Sequence, residues 1–219
     1  GGEGGVEYIK IYFKENIMKK TVFGLALLCA FASANEMLAE LEKNCKAGDM
    51  LSCDELGGAY DVYHSFYQTN RDYKKAFKFY EKACKGKVYN SCYQIAVLYQ
   101  FGQGVEKNLK KSIDYHKIAC DDGRLVGSCQ IVGKMYTGGI GVEQDVARGE
   151  AYMKKSCDIG SWMACGVFGG YYEDAGKSKQ AARYYQRACD MGVADPDVQN
   201  NVANKNIWRG YCDKVDILK

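Results

Sequence analysis

Four stretches of this chain place cysteine, a bulky apolar residue, a small residue and tyrosine at offsets zero, three, four and seven. They run Cys53–Tyr60, Cys92–Tyr99, Cys129–Tyr136 and Cys165–Tyr172. That spacing sets the four positions on one face of an α-helix, called helix A of each unit. Gly57, Ala96, Gly133 and Gly169 fill the small position. Glycine in a helix costs about 1 kcal/mol relative to alanine, so a neighbouring helix must approach closely there to offset it. A second helix, B, ends at Cys84, Cys120, Cys157 and Cys189. Phe79, Tyr115, Tyr152 and Tyr184 stand five residues before those cysteines, and small residues stand one and eight before. Large and small groups at fixed offsets let successive helices interdigitate, so each unit is an antiparallel helical hairpin.

The turns between A and B vary. Gly102-Gln103-Gly104-Val105 and Gly139-Ile140-Gly141-Val142 share one form, in which glycines supply positive φ and valine closes the apolar interior. The first unit has a longer loop, Asp61 to Asp72, with Tyr63, Phe66 and Tyr67. The fourth has the short turn Ala175-Gly176-Lys177. Such departures mark either end units or binding loops.

The cysteines fix the period. Cys45, Cys84, Cys120 and Cys157 recur after 39, 36 and 37 residues, and Cys189 follows 32 later. A repeat of that length is a stacked array. Their partners by spacing, Cys53, Cys92, Cys129 and Cys165, lie eight or nine residues on. On one helix eight residues span about 12 Å, whereas a disulfide needs Cα atoms within about 7 Å. Each pair, if bonded, therefore staples one helix end to the next helix start. Parity leaves Cys189 to pair with Cys212.

Residues 18–34 have the form of a secretory signal peptide: a basic start at Lys19-Lys20, an apolar run from Thr21 to Phe31, and a small-x-small site at Ala32-Ser33-Ala34. Cleavage after Ala34 removes Cys29 and leaves an even ten cysteines, as a disulfide framework in an oxidising compartment requires. The run is too short to span a membrane. Residues 1–17 read as an extension ahead of Met18. Residues 35–52 supply a B-like capping helix, 53–189 four repeats, and 190–219 a capping helix and tail. Asp195-Pro196-Asp197 breaks the pattern before a last helix around Asn200–Tyr211, which carries Trp208.

Charge adds little. Without residues 1–34 the formal net is +2, which gives no reason to expect nucleic acid or an anionic membrane as partner. With only His64 and His116 present and no Cys-x-x-Cys pair, no metal and no cofactor is expected. His116 occupies a packing position equivalent to Tyr80, Met153 and Tyr185, and His64 falls in the irregular loop.

With Cys-x-x-Leu-Gly-x-x-Tyr at Cys53, its three variants, the Gly-x-Gly-Val turns and the Tyr-x-x-x-Ala-Cys helix ends, the chain resembles the Sel-one-like repeat family. It is similar in particular to the Helicobacter cysteine-rich proteins, whose units carry a disulfide at this spacing. The resemblance covers about Glu36 to Cys189. It implies an all-α fold, a right-handed, tetratricopeptide-like α/α superhelix (solenoid) of disulfide-stapled hairpins. It also implies two functions: a scaffold holding peptide or protein on a concave surface lined by A helices, or a penicillin-binding β-lactamase. The second finds no motif. A serine β-lactamase needs a lysine one turn after its serine, and no Ser-x-x-Lys, Ser-Asp-Asn or Lys-Thr-Gly occurs after residue 34. Catalytic residues are therefore unknown.

For binding, offsets zero, three, four and seven are committed to packing, and one, two, five, six and nine vary freely. They place Asp54, Glu55, Tyr93, Gln94, Gln130, Lys134, Tyr171 and Asp174 on the A face. Tyrosine and amide groups suit peptide, protein or peptidoglycan-like (penicillin-like) ligands. The protein is expected to be exported, to the periplasm or the medium.

Overall fold

In the computed structural model, which describes residues 36–61 and 71–218, the chain is all helical. Helix α1 covers residues 36–47. It is followed by α2 (Met50–Asp61), α3 (Tyr73–Lys85), α4 (Tyr89–Phe101), α5 (Leu109–Asp121), α6 (Val126–Gly138), α7 (Val146–Ile159), α8 (Trp162–Asp174) and α9 (Ser178–Val193). The short α10 (Pro196–Asn200) and the long α11 (Val202–Leu218) complete it. The signal segment, the extension before it, and Tyr63, His64, Phe66 and Tyr67 lie outside the described residues.

Helices α2, α4, α6 and α8 are the A helices; α3, α5, α7 and α9 are the B helices. Each A packs on its own B, and each B on the next A, which makes an α/α solenoid. Five bridges clasp it: Cys45–Cys53, Cys84–Cys92, Cys120–Cys129, Cys157–Cys165 and Cys189–Cys212, with Cα separations of 4.6–5.0 Å. The first four join a B-type helix to the following A. The last joins α9 to α11. Ala76, Ala83, Ser112, Ala119, Ser156, Ala181 and Ala188, the small positions of the B helices, are fully buried.

The small A positions have a visible cause. A Cβ on Gly57 would stand 2.4 Å from the Tyr80 ring, and one on Gly169 2.8 Å from the Tyr185 ring. In both units the tyrosine hydroxyl donates to a carboxylate at the end of the same A helix, Asp61 at 3.3 Å and Glu173 at 2.7 Å. Burial pushes both phenols above their usual range. The other two units carry His116 and Met153 at this place, opposite Ala96 and Gly133.

The A–B turns converge on one anchor despite their different lengths. The backbone N–H of Asp72, Asn108, Asp145 and Lys177 donates to the carbonyl of Tyr60, Tyr99, Tyr136 and Tyr172 respectively, at 2.8–2.9 Å. Asp72, Asn108 and Asp145 then cap their B helices, each side chain accepting from the N–H three residues on. Gly102, Gly104, Gly139 and Gly141 adopt φ between 64° and 73°. Val105 and Val142 pack against the buried clusters of their units. Gly104 has a second role, since a Cβ there would lie 2.4 Å from the Tyr73 carbonyl carbon of the preceding unit. Gly104→Ala is therefore expected to cost about 2 kcal/mol, from left-handed strain of about 1–2 kcal/mol and a backbone collision. A urea titration measures it.

The C-terminal cap is longer than the sequence suggests, reaching Leu218. Tyr211 covers Gly166, where a Cβ would come within 2.1 Å of its ring, and stacks on Tyr185 at 5.8 Å. Trp208 donates from its indole nitrogen to the Cys189 carbonyl at 2.8 Å, and Lys214 reaches Glu173 at 2.6 Å. These contacts cover the end of the last repeat, as an array's terminal element must.

Candidate functional site

Two of the five offsets expected to vary freely are in fact structural. Offset one reaches a neighbouring helix, in the next unit from Asp54 and Gln130 and in its own unit from Tyr93. Ser91 donates to Asp54, the Tyr93 ring meets His116 edge-on at 5.4 Å, and Gln130 donates to Ser161 at 3.2 Å. All three side chains are half-buried. Offset six enters the core in the first three units as Ala59, Leu98 and Met135, each at most 4% exposed. The reason is geometric: residues six and seven apart from the cysteine flank the same seam between A and B. Only in the fourth unit does offset six open, placing Tyr171 at the surface. Its hydroxyl hydrogen-bonds Glu150, which raises its pKa above the ordinary phenol range.

The outward A surface is instead a strip made by positions two before and two after the cysteine, four residues apart and so on one helical edge. It pairs Leu51 with Glu55, Asn90 with Gln94, Gly127 with Ile131, and Met163 with Val167. Leu51 is 69% exposed and Val167 49%, with Met163 and Tyr171 also open. Glu55, Lys134 and Asp174 are exposed beside them and Gln94 is half-buried. Sequence reasoning missed Leu51 and Met163 because it searched only forward from each cysteine, and it passed over Val167, at offset two, because it favoured tyrosine, amide and charged groups as contacts. The four-residue spacing across the cysteine was the available signal.

A second repeated constellation lies at the hairpin edge. Tyr60 stacks on Phe79, Tyr99 on Tyr115, Tyr136 on Tyr152, and Tyr172 on Tyr184, with ring centroids 5.4–6.0 Å apart and planes within 19°. A cation covers the tyrosine of each pair: Lys75, Lys111, Arg148 and Lys177, at 4.9–5.8 Å from the centroid. Three of these cations sit three residues after the capping Asp or Asn, at one register in the sequence. That register was legible and went unread.

Among the described residues one serine stands beside an imidazole, and that pair is sealed. His116 Nδ1 lies 3.4 Å from Ser128 Oγ, and both residues are 0% exposed. Burial holds the imidazole at a pKa of about 4, well below its ordinary value. No substrate carbonyl reaches such a pair. Among the described residues no group of three or more His, Cys, Asp or Glu is placed to hold a metal ion, and no helix is long and apolar enough to cross a membrane.

The Sel1 repeat family model matches residues 52–87, 90–123, 128–161 and 169–193. A stretch of 41 residues is 51% identical to HcpC of Helicobacter pylori, whose name carries a provisional beta-lactamase designation. The match takes in 19% of this chain and only 14% of that protein. Two solved structures share the fold. A protective antigen of uropathogenic Escherichia coli with an SLR fold has a TM-score of 0.62 at 22% identity, covering 82% of this chain and 40% of that one. A Sel1 repeat protein from Oxalobacter formigenes has a TM-score of 0.64 at 17% identity, covering 78% and 70%.

Proposed function

We propose that this chain, which belongs to the Sel1 repeat family, is an exported scaffold that holds a peptide or protein along its helix-A face. Repeats of this family serve protein–protein interaction, and the observation that carries the reading here is the outward strip on the A helices. Large apolar side chains left open on a rigid surface and rimmed by polar ones mark an interaction site. Leu51, Met163, Val167 and Tyr171 supply the apolar contacts. Glu55, Gln94, Lys134 and Asp174 supply the polar rim, while Asp54 and Gln130 hold successive units in the register that aligns it and Tyr93 packs A on B within its own unit. Five disulfides belong to a chain folded in an oxidising compartment, which supports export through residues 18–34 to the periplasm or beyond.

The β-lactamase alternative rests on the name of a relative matched over a small part of its length. A chromogenic β-lactam should accordingly show no turnover with the oxidised protein. For the scaffold, peptides selected from a random library against the oxidised chain should lose at least about ten-fold in affinity when Val167→Ser and Tyr171→Ala are combined, as loss of a central anchor does. Retained affinity in that double variant would remove the helix-A face from consideration.

A further inference from the structure

The junctions between successive B helices can be compared in one register. The residue after a unit's first cysteine meets the residue two before the next one. At two junctions these are acid and base: Lys155 binds Asp121 at 2.7 Å, and Arg187 binds Asp158 at 2.9 Å. The Tyr152 hydroxyl also donates to Asp121 at 3.0 Å. At the α3–α5 junction the pair is Lys85 and Ile118, which involves no like charge. The α1–α3 junction differs from all of these. Lys46 follows Cys45 and Lys82 precedes Cys84 by two, so two cations occupy the places of an ion pair. The hydroxyl that Tyr152 directs at Asp121 is also absent here, since position 79 is phenylalanine.

The two lysines make do locally. Lys82 donates to the Cys45 carbonyl, and Lys46 turns back to Glu42 on its own helix at 3.7 Å. Between α1 and α3 this leaves a cavity of about 330 Å³. Lys46, Lys75, Lys78 and Lys82 line it together with the stacked Tyr60 and Phe79. Its walls are mostly apolar, from the rings and lysine stems, with one carboxylate, Glu42, against four ammonium groups. The volume is near the lower end of ligand pockets, room for one or two residues of a peptide.

We propose that this cleft binds a peptide carboxylate flanked by an apolar side chain. The ligand supplies in trans the acid that Asp121 and Asp158 supply within the chain. The same fold thus contains two examples of the occupied state, and in both the occupant is a carboxylate held by a cation of the next B helix. This site lies between α1 and α3, with Tyr60 of α2 at its edge, and shares no residue with the outward strip of the A helices.

The test uses the full oxidised chain and a fluorescein-labelled peptide of alternating glutamate and phenylalanine, read by anisotropy. The same peptide with glutamine for glutamate is the control, and inorganic phosphate and acetate are competitors. The acidic peptide should bind at least ten-fold more tightly than the glutamine peptide, and more weakly as salt rises. Lys46→Asp rebuilds the in-chain ion pair with Lys82. It should abolish the preference while leaving the melting temperature unchanged or higher. Lys78→Ala, at an exposed position, should weaken binding several-fold, and Lys179→Ala, at an exposed position of α9, should not. Equal binding of both peptides, or undiminished binding to Lys46→Asp and Lys78→Ala, overturns the proposal. Displacement by phosphate at concentrations where acetate has no effect overturns the carboxylate assignment.

Discussion

Reduction by dithiothreitol is expected to unfold this protein at about 37 °C, the outcome common when small secreted domains lose their bridges. Each hairpin buries too little apolar surface to stand alone, and its neighbours contribute what it lacks. The four bridges that close loops of eight or nine residues should contribute about 2.5 kcal/mol each, and the one spanning 23 residues about 3.4 kcal/mol. Their total, about 13 kcal/mol, is as large as the whole stability of an ordinary domain, about 5–15 kcal/mol. Far-UV circular dichroism with and without reductant measures the effect. A reduced chain that keeps its helical signal and its melting temperature would show that packing alone holds the array. Replacing only Cys84 and Cys92 by alanine should cost about 2.5 kcal/mol. It should also split the melt, because the junction between the first and second repeats then loses its covalent link.

Acid should destabilise the protein through His116. Its folded pKa is about 4, against about 6.5 in an unfolded chain. Between those values the unfolded chain takes up a proton that the folded one refuses. Stability fully present above pH 6.5 is therefore lost as pH falls toward about 4. The amount is about 3 kcal/mol, from a depression of about two and a half pH units. The cause is burial: the ring is 0% exposed beside Ser128 and Tyr93, and Nε2 has no hydrogen-bond partner among the described residues. His116→Met, which installs the residue that the next repeat carries as Met153, should remove this dependence. Urea titrations of both proteins at pH 7 and pH 4.5 should differ by the histidine's contribution, since carboxylates such as Asp158 and Glu173 titrate in both. Parallel pH profiles would show that the imidazole finds a proton-accepting partner in the folded state.

The cysteine rhythm made the repeat, its phase and its hairpin connectivity legible before any coordinates. Spacing of eight forbids a continuous helix, and the offsets of Leu56, Gly57 and Tyr60 identify the buried face. The candidate site was less legible. Reading outward positions by elimination treats a helix as having one buried face, but an A helix in an array has three: toward its own B helix, toward the preceding unit and toward the next. Asp54, Tyr93 and Gln130 vary in type because each answers a different neighbour, and that variation looks the same in sequence as surface freedom. Likewise Leu98 and Met135 sit beside the tyrosine seam, a position that the offset count placed in solvent. The lysine cleft was invisible for a related reason. Its signal is a break in correlation between Lys46 and Lys82, residues on different helices whose pairing emerges only when all junctions are overlaid.

The tyrosine carbonyls that receive the N–H of Asp72, Asn108, Asp145 and Lys177 give the hairpins a fixed pair of gateposts. Whatever chain passes between them leaves the stacked spine undisturbed. The rim of the rod can thus accept inserted epitopes or diversify over generations at little thermodynamic penalty, while a change to the posts themselves would shear one hairpin arm along the other.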